Sequence, residues 1–132
     1  MADGMDHSVS SEIFKQFVAA INHYDVETLT SLMSQDHLFV DSLGNRVQGA
    51  ESMRGGWSAY FAMCPDYRIQ ITYQLSALDT VLAIGEAGGT IDDTAWRTPA
   101  AWRATIRDGR VSEWQVFADN KPVYEILARR AQ

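Results

Sequence analysis

The hydrophobic pattern of this chain changes from mainly helical to mainly alternating near Tyr67, and that change limits the folds open to it. Before it, apolar side chains recur every three or four residues: Ile13, Phe17, Ile21 and Tyr24, then Val26, Leu29 and Leu32, then Met53, Trp57, Tyr60, Phe61 and Cys64. Each set makes one stripe on a helix. After it, Ile69, Ile71, Tyr73 and Leu75 alternate with Arg68, Gln70, Thr72 and Gln74, the pattern of a half-buried strand. Helices followed by strands is an α+β order, in which an antiparallel sheet covers its apolar face with helices.

Local signals set the boundaries. The cluster Ser8, Ser10 and Ser11 is expected to cap a first helix ending near Asn22 or His23, and Asp25 to cap a short second one. Asp36 to Ser42 reads as a strand, closed by the turn Leu43-Gly44-Asn45. A third helix spans Ala50 to Cys64 and stops at Pro65-Asp66. Its Gly55-Gly56 pair costs about 1–2 kcal/mol relative to alanines and marks a bend or a close backbone approach. Further strands cover Val81 to Ile91, Arg97 to Arg107 and Arg110 to Ala118, the last two joined by the hairpin signal Asp108-Gly109. Pro122 opens a final helix carrying Val123, Ile126 and Leu127.

With 132 residues, 46% of them apolar, the chain is expected to form one domain over residues 11–132 behind a flexible segment 1–10. Eleven basic against seventeen acidic residues give a net charge of −6, interleaved rather than clustered, which works against a nucleic-acid partner. No apolar run approaches the roughly 18 residues of a membrane span. Met1 to Ser10 carry Asp3 and Asp6 but no Lys or Arg, so no signal peptide is expected and the chain reads as cytoplasmic. The single Cys64 excludes an intrachain disulfide and suits a reducing compartment. No spacing for a metal site stands out, and no cofactor is expected.

Four stretches point to a family: Phe17-Val18-Ala19-Ala20-Ile21-Asn22-His23-Tyr24-Asp25, Phe39-Val40-Asp41-Ser42-Leu43-Gly44, the pair Trp102-Arg103, and the ending from Glu113-Trp114 to Lys121-Pro122. In order and spacing they resemble the SnoaL-like, ketosteroid-isomerase-like branch of the NTF2-like superfamily, from about Glu12 to Leu127. The resemblance implies a cone: a curved antiparallel sheet wrapped around a long N-terminal helix, with two further helices, a short C-terminal helix, an apolar pocket inside, and a convex face used for homodimers. The residues agree, since Phe17, Phe39, Trp57, Phe61, Trp96, Trp102 and Trp114 are hard to pack around Ala100, Ala104 and Ala118 without leaving a hollow. Such a hollow suits a small hydrophobic or aromatic ligand. Tyr60, Tyr73 and Trp96 could supply orienting donors, or be ordinary core residues with polar tips. Phe117, outward with Arg103, Thr105 and Gln115, is expected at a dimer interface.

Asp41 is the leading candidate for chemistry. It shares the strand phase of Phe39 and His37, and a carboxylate facing an apolar pocket is suited to shuttling a proton near neutral pH. By resemblance it sits where ketosteroid isomerases keep their catalytic aspartate. The alternative is that it caps the Ser42-Leu43-Gly44 turn. His37 lies about 13 Å from Asp41 along the strand and could reach it across a ligand, or be a strand-start residue near the rim. In the polyketide cyclases an acid near Asp119 is catalytic; here the spacing is one residue longer and alternation turns Asp119 away from the face of Trp114, Val116 and Ala118, which favours capping the Pro122 helix over a catalytic role. His7 is assigned no role. The resemblance also marks departures: the two oxyanion donors of the steroid isomerases are replaced by Phe17 and Ala100, a loss on the order of 3 kcal/mol per donor. The Arg-x-Asp arrangement of limonene-epoxide hydrolases is missing, because Thr98-Pro99 follows Arg97 and Ala104-Thr105 follows Arg103. Steroid isomerisation is therefore not expected. A proton-transfer isomerase, cyclase or dehydratase stands beside a non-catalytic binding module or a protein-interaction adaptor.

Overall fold

A computed structural model describes residues 2–131, and the side chains of residues 9–130. The elements run α1 (Ala2–Asn22), α2 (Val26–Ser31), β1 (Met33–Val40), β2 (Arg46–Gln48), α3 (Ala50–Met63), β3 (Arg68–Ala77), β4 (Thr80–Ile91), β5 (Thr94–Arg107), β6 (Arg110–Ala118) and α4 (Lys121–Ala128), with a 3-10 turn over Arg129–Ala131. The strands form one curved, unclosed sheet in the order β2-β1-β6-β5-β4-β3. From β3 to β6 it is the expected antiparallel meander. The sheet is not wholly antiparallel, however, because β1 runs parallel to β6 and β2 adds a short antiparallel edge. All three residues of β2 are exposed, so it carries no alternation by which to recognise it.

The core lies between α1 and the concave sheet face. Phe14, Phe17 and Ile21 are fully buried on one stripe of α1, and the Trp114 ring meets Phe17 at 4.6 Å and Phe14 at 5.5 Å between centroids. Along β5, Trp96, Thr98, Ala100, Trp102, Ala104 and Ile106 are all buried, as alternation predicts. Ala100 and Ala104 are buried in the same core as Phe14 and Phe17, whereas Ala118, the third small residue expected beside a hollow, does line one. Helix α1 begins before the serine cluster; Ser10 is buried on its side and donates to the Leu78 carbonyl at 2.8 Å instead of capping. Asp25 does cap α2, accepting from Thr28 N–H at 3.1 Å and the Thr28 hydroxyl at 2.7 Å.

Two local expectations change. In β3 a register shift between Ile71 and Tyr73 reverses the phase, so Ile69 is buried while Tyr73 and Leu75 face outward with more than half their surface exposed. Gln74 takes an inward position and donates to the Ser11 hydroxyl at 2.9 Å. A bulge of this kind inserts one residue against the partner strand and inverts every side chain beyond it. The tight pairing depends on Gly85, where a Cβ would lie 1.8 Å from the Gln70 carbonyl oxygen. The Gly55-Gly56 pair makes no close backbone approach: nothing lies within 4 Å of a Cβ at Gly55, and at Gly56 only the Met53 side chain does, at 3.6 Å, while α3 is continuous through both.

Candidate ligand-binding site

Three local devices bring α3 and α4 over one end of the sheet. The first is Gly49, whose φ of +104° suits glycine and whose N–H donates to the His37 carbonyl at 2.7 Å, fixing the start of α3 to β1. The second is the turn after α3. The Asp66 carboxylate accepts from the Thr90 N–H at 2.7 Å and the Thr90 hydroxyl at 2.8 Å, bonds that hold its carboxyl below the usual range. Gly89 lets this turn sit against β4 and leaves Tyr67 buried. The third is the start of α4, where Asp119 accepts from Lys121 N–H at 3.0 Å, its carbonyl accepts from the Thr98 hydroxyl at 2.6 Å, and Asn120 donates to the Ser42 hydroxyl at 2.6 Å. Beyond α4, Arg130 pairs with Asp92 at 2.5 and 2.7 Å.

These devices enclose a cavity of about 340 Å³. Phe39, Trp57, Tyr60, Tyr67 and Trp96 supply its ring walls, and Met53, Met63, Val116, Val123 and Leu127 its aliphatic ones. Trp57 meets Phe39 edge to face at 6.4 Å, Tyr60 meets Tyr67 in a T at 4.9 Å, and Tyr67 stacks on Trp96 at 6.1 Å. Asp41, Ser42, Asn120 and Tyr124 bring polar groups to the wall. Burial pushes the titration of Tyr60 and Tyr67 far above the ordinary phenol range, so both stay protonated hydroxyls at neutral pH.

Of the residues expected to hold a ligand, Phe39, Trp57, Tyr60 and Trp96 line this cavity. Phe17, Trp102 and Trp114 are not among its walls and belong to the filled core. Phe61 stands behind the wall, against Trp57 and Tyr24, each at 5.4 Å. Tyr73, turned outward by the bulge, is exposed on the other face. Asp41 lines the cavity and is half-buried, but its carboxylate serves its own turn: one oxygen accepts from Leu43 and Asn45 N–H at 2.9 Å each, the other from the Asn45 side-chain amide at 3.0 Å. The turn-capping geometry and a place in the cavity wall thus occur together.

His37 is neither at the rim nor in the cavity wall. Strand β1 begins at Met33, earlier than expected, which puts His37 inside the sheet at 0% exposure. Its Nδ1–H donates to the Val111 carbonyl at 2.7 Å, its Nε2 has no partner among the described residues, and the Phe17 ring lies 6.1 Å away. Burial holds its pKa below the ordinary value, against the opposing pull of the Val111 bond and of Asp36 and Glu113. Asp119 is exposed at the start of α4 and lies outside the cavity wall. The His7 side chain lies outside the described residues. Sequence reasoning missed Tyr67, Met63, Tyr124 and Val116. The first follows Pro65-Asp66 in a loop with no period to mark it, whereas Val116 was legible as an inward β6 position.

Among the described residues no group of three or more His, Cys, Asp or Glu could hold a metal ion, and no helix is long and apolar enough to cross a membrane. A family model described as a SnoaL-like domain matches residues 14–114. Among curated proteins, none matches this chain. A Catenulispora acidiphila protein with a ketosteroid isomerase-like fold, solved in complex with trimethylamine, is 26% identical over 80% of this chain and 83% of its own, with a TM-score of 0.73. An LEH-like epoxide hydrolase of M. tuberculosis superposes with a TM-score of 0.81 at 15% identity, over 93% of this chain and 92% of its own. An NTF2-like protein of unknown function from Cytophaga hutchinsonii does so with 0.71 at 12% identity, over 87% and 94%. The last two show the fold alone.

Proposed function

Since the chain belongs to the SnoaL-like domain family, we propose that it binds a small hydrophobic or aromatic molecule in the cavity between α3 and α4. The observation that carries this is the cavity itself, lined by six aromatic residues, Phe39, Trp57, Tyr60, Tyr67, Trp96 and Tyr124. That a relative with this fold has been solved with trimethylamine supports small-ligand binding in such a chain. The working unit in this reading is the single domain of residues 11–132, cytoplasmic by the argument of its one free cysteine, Cys64.

The partner we propose besides the ligand is a second copy, across the convex face. Tyr73, Ile84, Ala101 and Phe117 form one row across four strands, and Leu75, Leu82, Arg103 and Gln115 the next. Five of these eight are large apolar side chains about half exposed, a density that favours burial against a partner.

A second reading adds chemistry: an isomerase, cyclase or dehydratase with Asp41 as general base. Its support is that Asp41 is the one carboxylate in the cavity wall among the described residues. Against steroid isomerisation stand Phe17 and Ala100, neither of which can donate to an enolate. Titrating the purified protein with a panel of small aromatic compounds, followed by tryptophan fluorescence, tests the first reading. Binding that weakens more than tenfold in Trp57→Ala is expected. Absence of binding, or equal binding by that variant, refutes it. For any compound that is turned over, Asp41→Asn should abolish turnover and leave Kd nearly unchanged.

A further inference from the structure

A glycine inside a helix weakens it, because the unfolded chain has more freedom to lose and no side chain covers the backbone. Such a glycine has a local reason where neighbours leave no room for a Cβ or where φ is positive. Gly56 has neither. It lies in the regular backbone of α3, and a Cβ built on it meets only the far end of the Met53 side chain, Sδ at 3.6 Å and Cε at 3.7 Å. That is ordinary contact with a flexible group, so an alanine would fit and would strengthen the helix. What sets Gly56 apart is its place. It lines the cavity, as does the Met53 side chain that its Cβ would touch, whereas its neighbour Gly55 does not.

A second observation locates the mouth of the cavity. Among the described residues of the wall, Val47, Gly56 and Tyr124 alone are exposed to solvent, the others being buried or half-buried. They come from β2, α3 and α4, so they frame an opening between elements rather than a patch on one of them. Val47 and Tyr124 hold large apolar side chains there, 39% and 44% exposed; Gly56 holds none. We propose that Gly56 is a specificity-determining residue, whose missing Cβ leaves room at the mouth that an elongated, largely apolar ligand occupies. One end of that ligand lies among the rings inside, and the other leaves between Val47 and Tyr124 across the bare backbone of α3. This rests on the cavity being a ligand site at all. A compact ligand is held by the inner rings alone and does not read Gly56. Helix stability is thus given up for ligand room, a trade common at binding sites.

The test uses the full-length protein and two rigid probes that share a head and differ in length: 4-ethylphenol and trans-4-hydroxystilbene. Calorimetry gives Kd for each, and a thermal melt gives Tm without ligand. Gly56→Ala should raise Tm by about 2–5 °C, weaken the stilbene about tenfold, the effect of one misplaced methyl in an apolar site, and leave ethylphenol within about twofold of wild type. Gly55→Ala is the control: it should raise Tm in the same way and leave both affinities within about twofold. A Gly56→Ala protein that binds the stilbene as wild type does overturns the proposal, and if association alone is slowed, Gly56 serves only passage. A lower Tm in Gly56→Ala overturns it too, since the glycine then answers to packing. So does an equal loss of the stilbene in Gly55→Ala, which would be an effect of the helix rather than of the mouth. Wild-type binding of ethylphenol without the stilbene overturns it while the cavity stands as a binding site. Failure of both probes to bind wild type removes the ligand site and the proposal with it.

Discussion

Gly89 holds the clearest single-residue test of how the cavity is built. A Cβ placed there would lie 2.4 Å from the Cys64 sulfur, 3.1 Å from an Asp66 carboxylate oxygen and 3.2 Å from the Tyr67 Cα. The first distance cannot be accommodated without movement, and the third is to backbone, which yields least. Overpacking of this kind costs about 1–3 kcal/mol. Replacing glycine also restricts the unfolded chain, which returns about 0.4–1 kcal/mol where the backbone conformation is ordinary. Gly89→Ala should therefore destabilise by about 1–2 kcal/mol. For a chain of this size that is a fall in Tm of about 3–10 °C. The cause can be isolated with Cys64→Ala, which removes the sulfur. Alone it should cost about 1 kcal/mol as a small buried deletion. Combined with Gly89→Ala it should cost less than the two effects added, by about 1 kcal/mol, because the worst contact has gone while the Tyr67 contact remains. Differential scanning calorimetry of the four proteins of this cycle measures each quantity. A Gly89→Ala protein that melts within about 1 °C of wild type, or a cycle that is simply additive, would refute the packing argument and with it the view that Gly89 positions Tyr67.

His37 has its pKa lowered in the folded protein by burial, so the unfolded chain takes up a proton first as pH falls through about 6.5. Its contribution to stability is thus fully present above that pH and is lost on acidification; urea midpoints at pH 7.5 and 5.5 should diverge more in wild type than in His37→Asn, which keeps an amide donor near the Val111 carbonyl but does not titrate. Trp114→Phe should lower Tm, because the ring packs on Phe14 and Phe17, yet leave ligand Kd within about twofold; a large loss of affinity would return Trp114 to the cavity wall. Leu82→Glu and Ile84→Glu, on the exposed convex face, should convert a dimer into a folded monomer by analytical ultracentrifugation, and a wild-type protein already monomeric at 14.8 kDa in micromolar solution refutes the interface.

The parts of this fold that could be read from sequence are those whose outcome depends on near neighbours. Six alternate residues of β5 are buried because the strand is regular over its length, and Asp25 caps α2 because its partner, Thr28, is three residues away. The parts that could not be read depend on a second strand or helix far along the chain. The phase of Tyr73 and Leu75 inverts at a bulge that exists only in the register of β3 against β4, and the one hint of it, Gly85, is silent until Gln70 is seen to press on it. His37 moves from rim to interior because β1 pairs in parallel with β6, whose Val111 carbonyl then accepts the imidazole proton. The candidate site is the extreme case. Counting rings puts a hollow among seven aromatic residues around Ala100, Ala104 and Ala118; Phe17, Trp102 and Trp114 lie in the packed core, and the space opens where Phe39, Trp57, Trp96 and Ala118 meet α3 and α4, whose spacing from the sheet is set by Asp66 on Thr90 and Asn120 on Ser42. Those contacts span 24 and 78 residues. Periodicity identifies which face of an element is apolar, but two apolar faces can be held apart only by such long-range polar contacts, and it is the separation, rather than the count of aromatic residues, that makes a cavity.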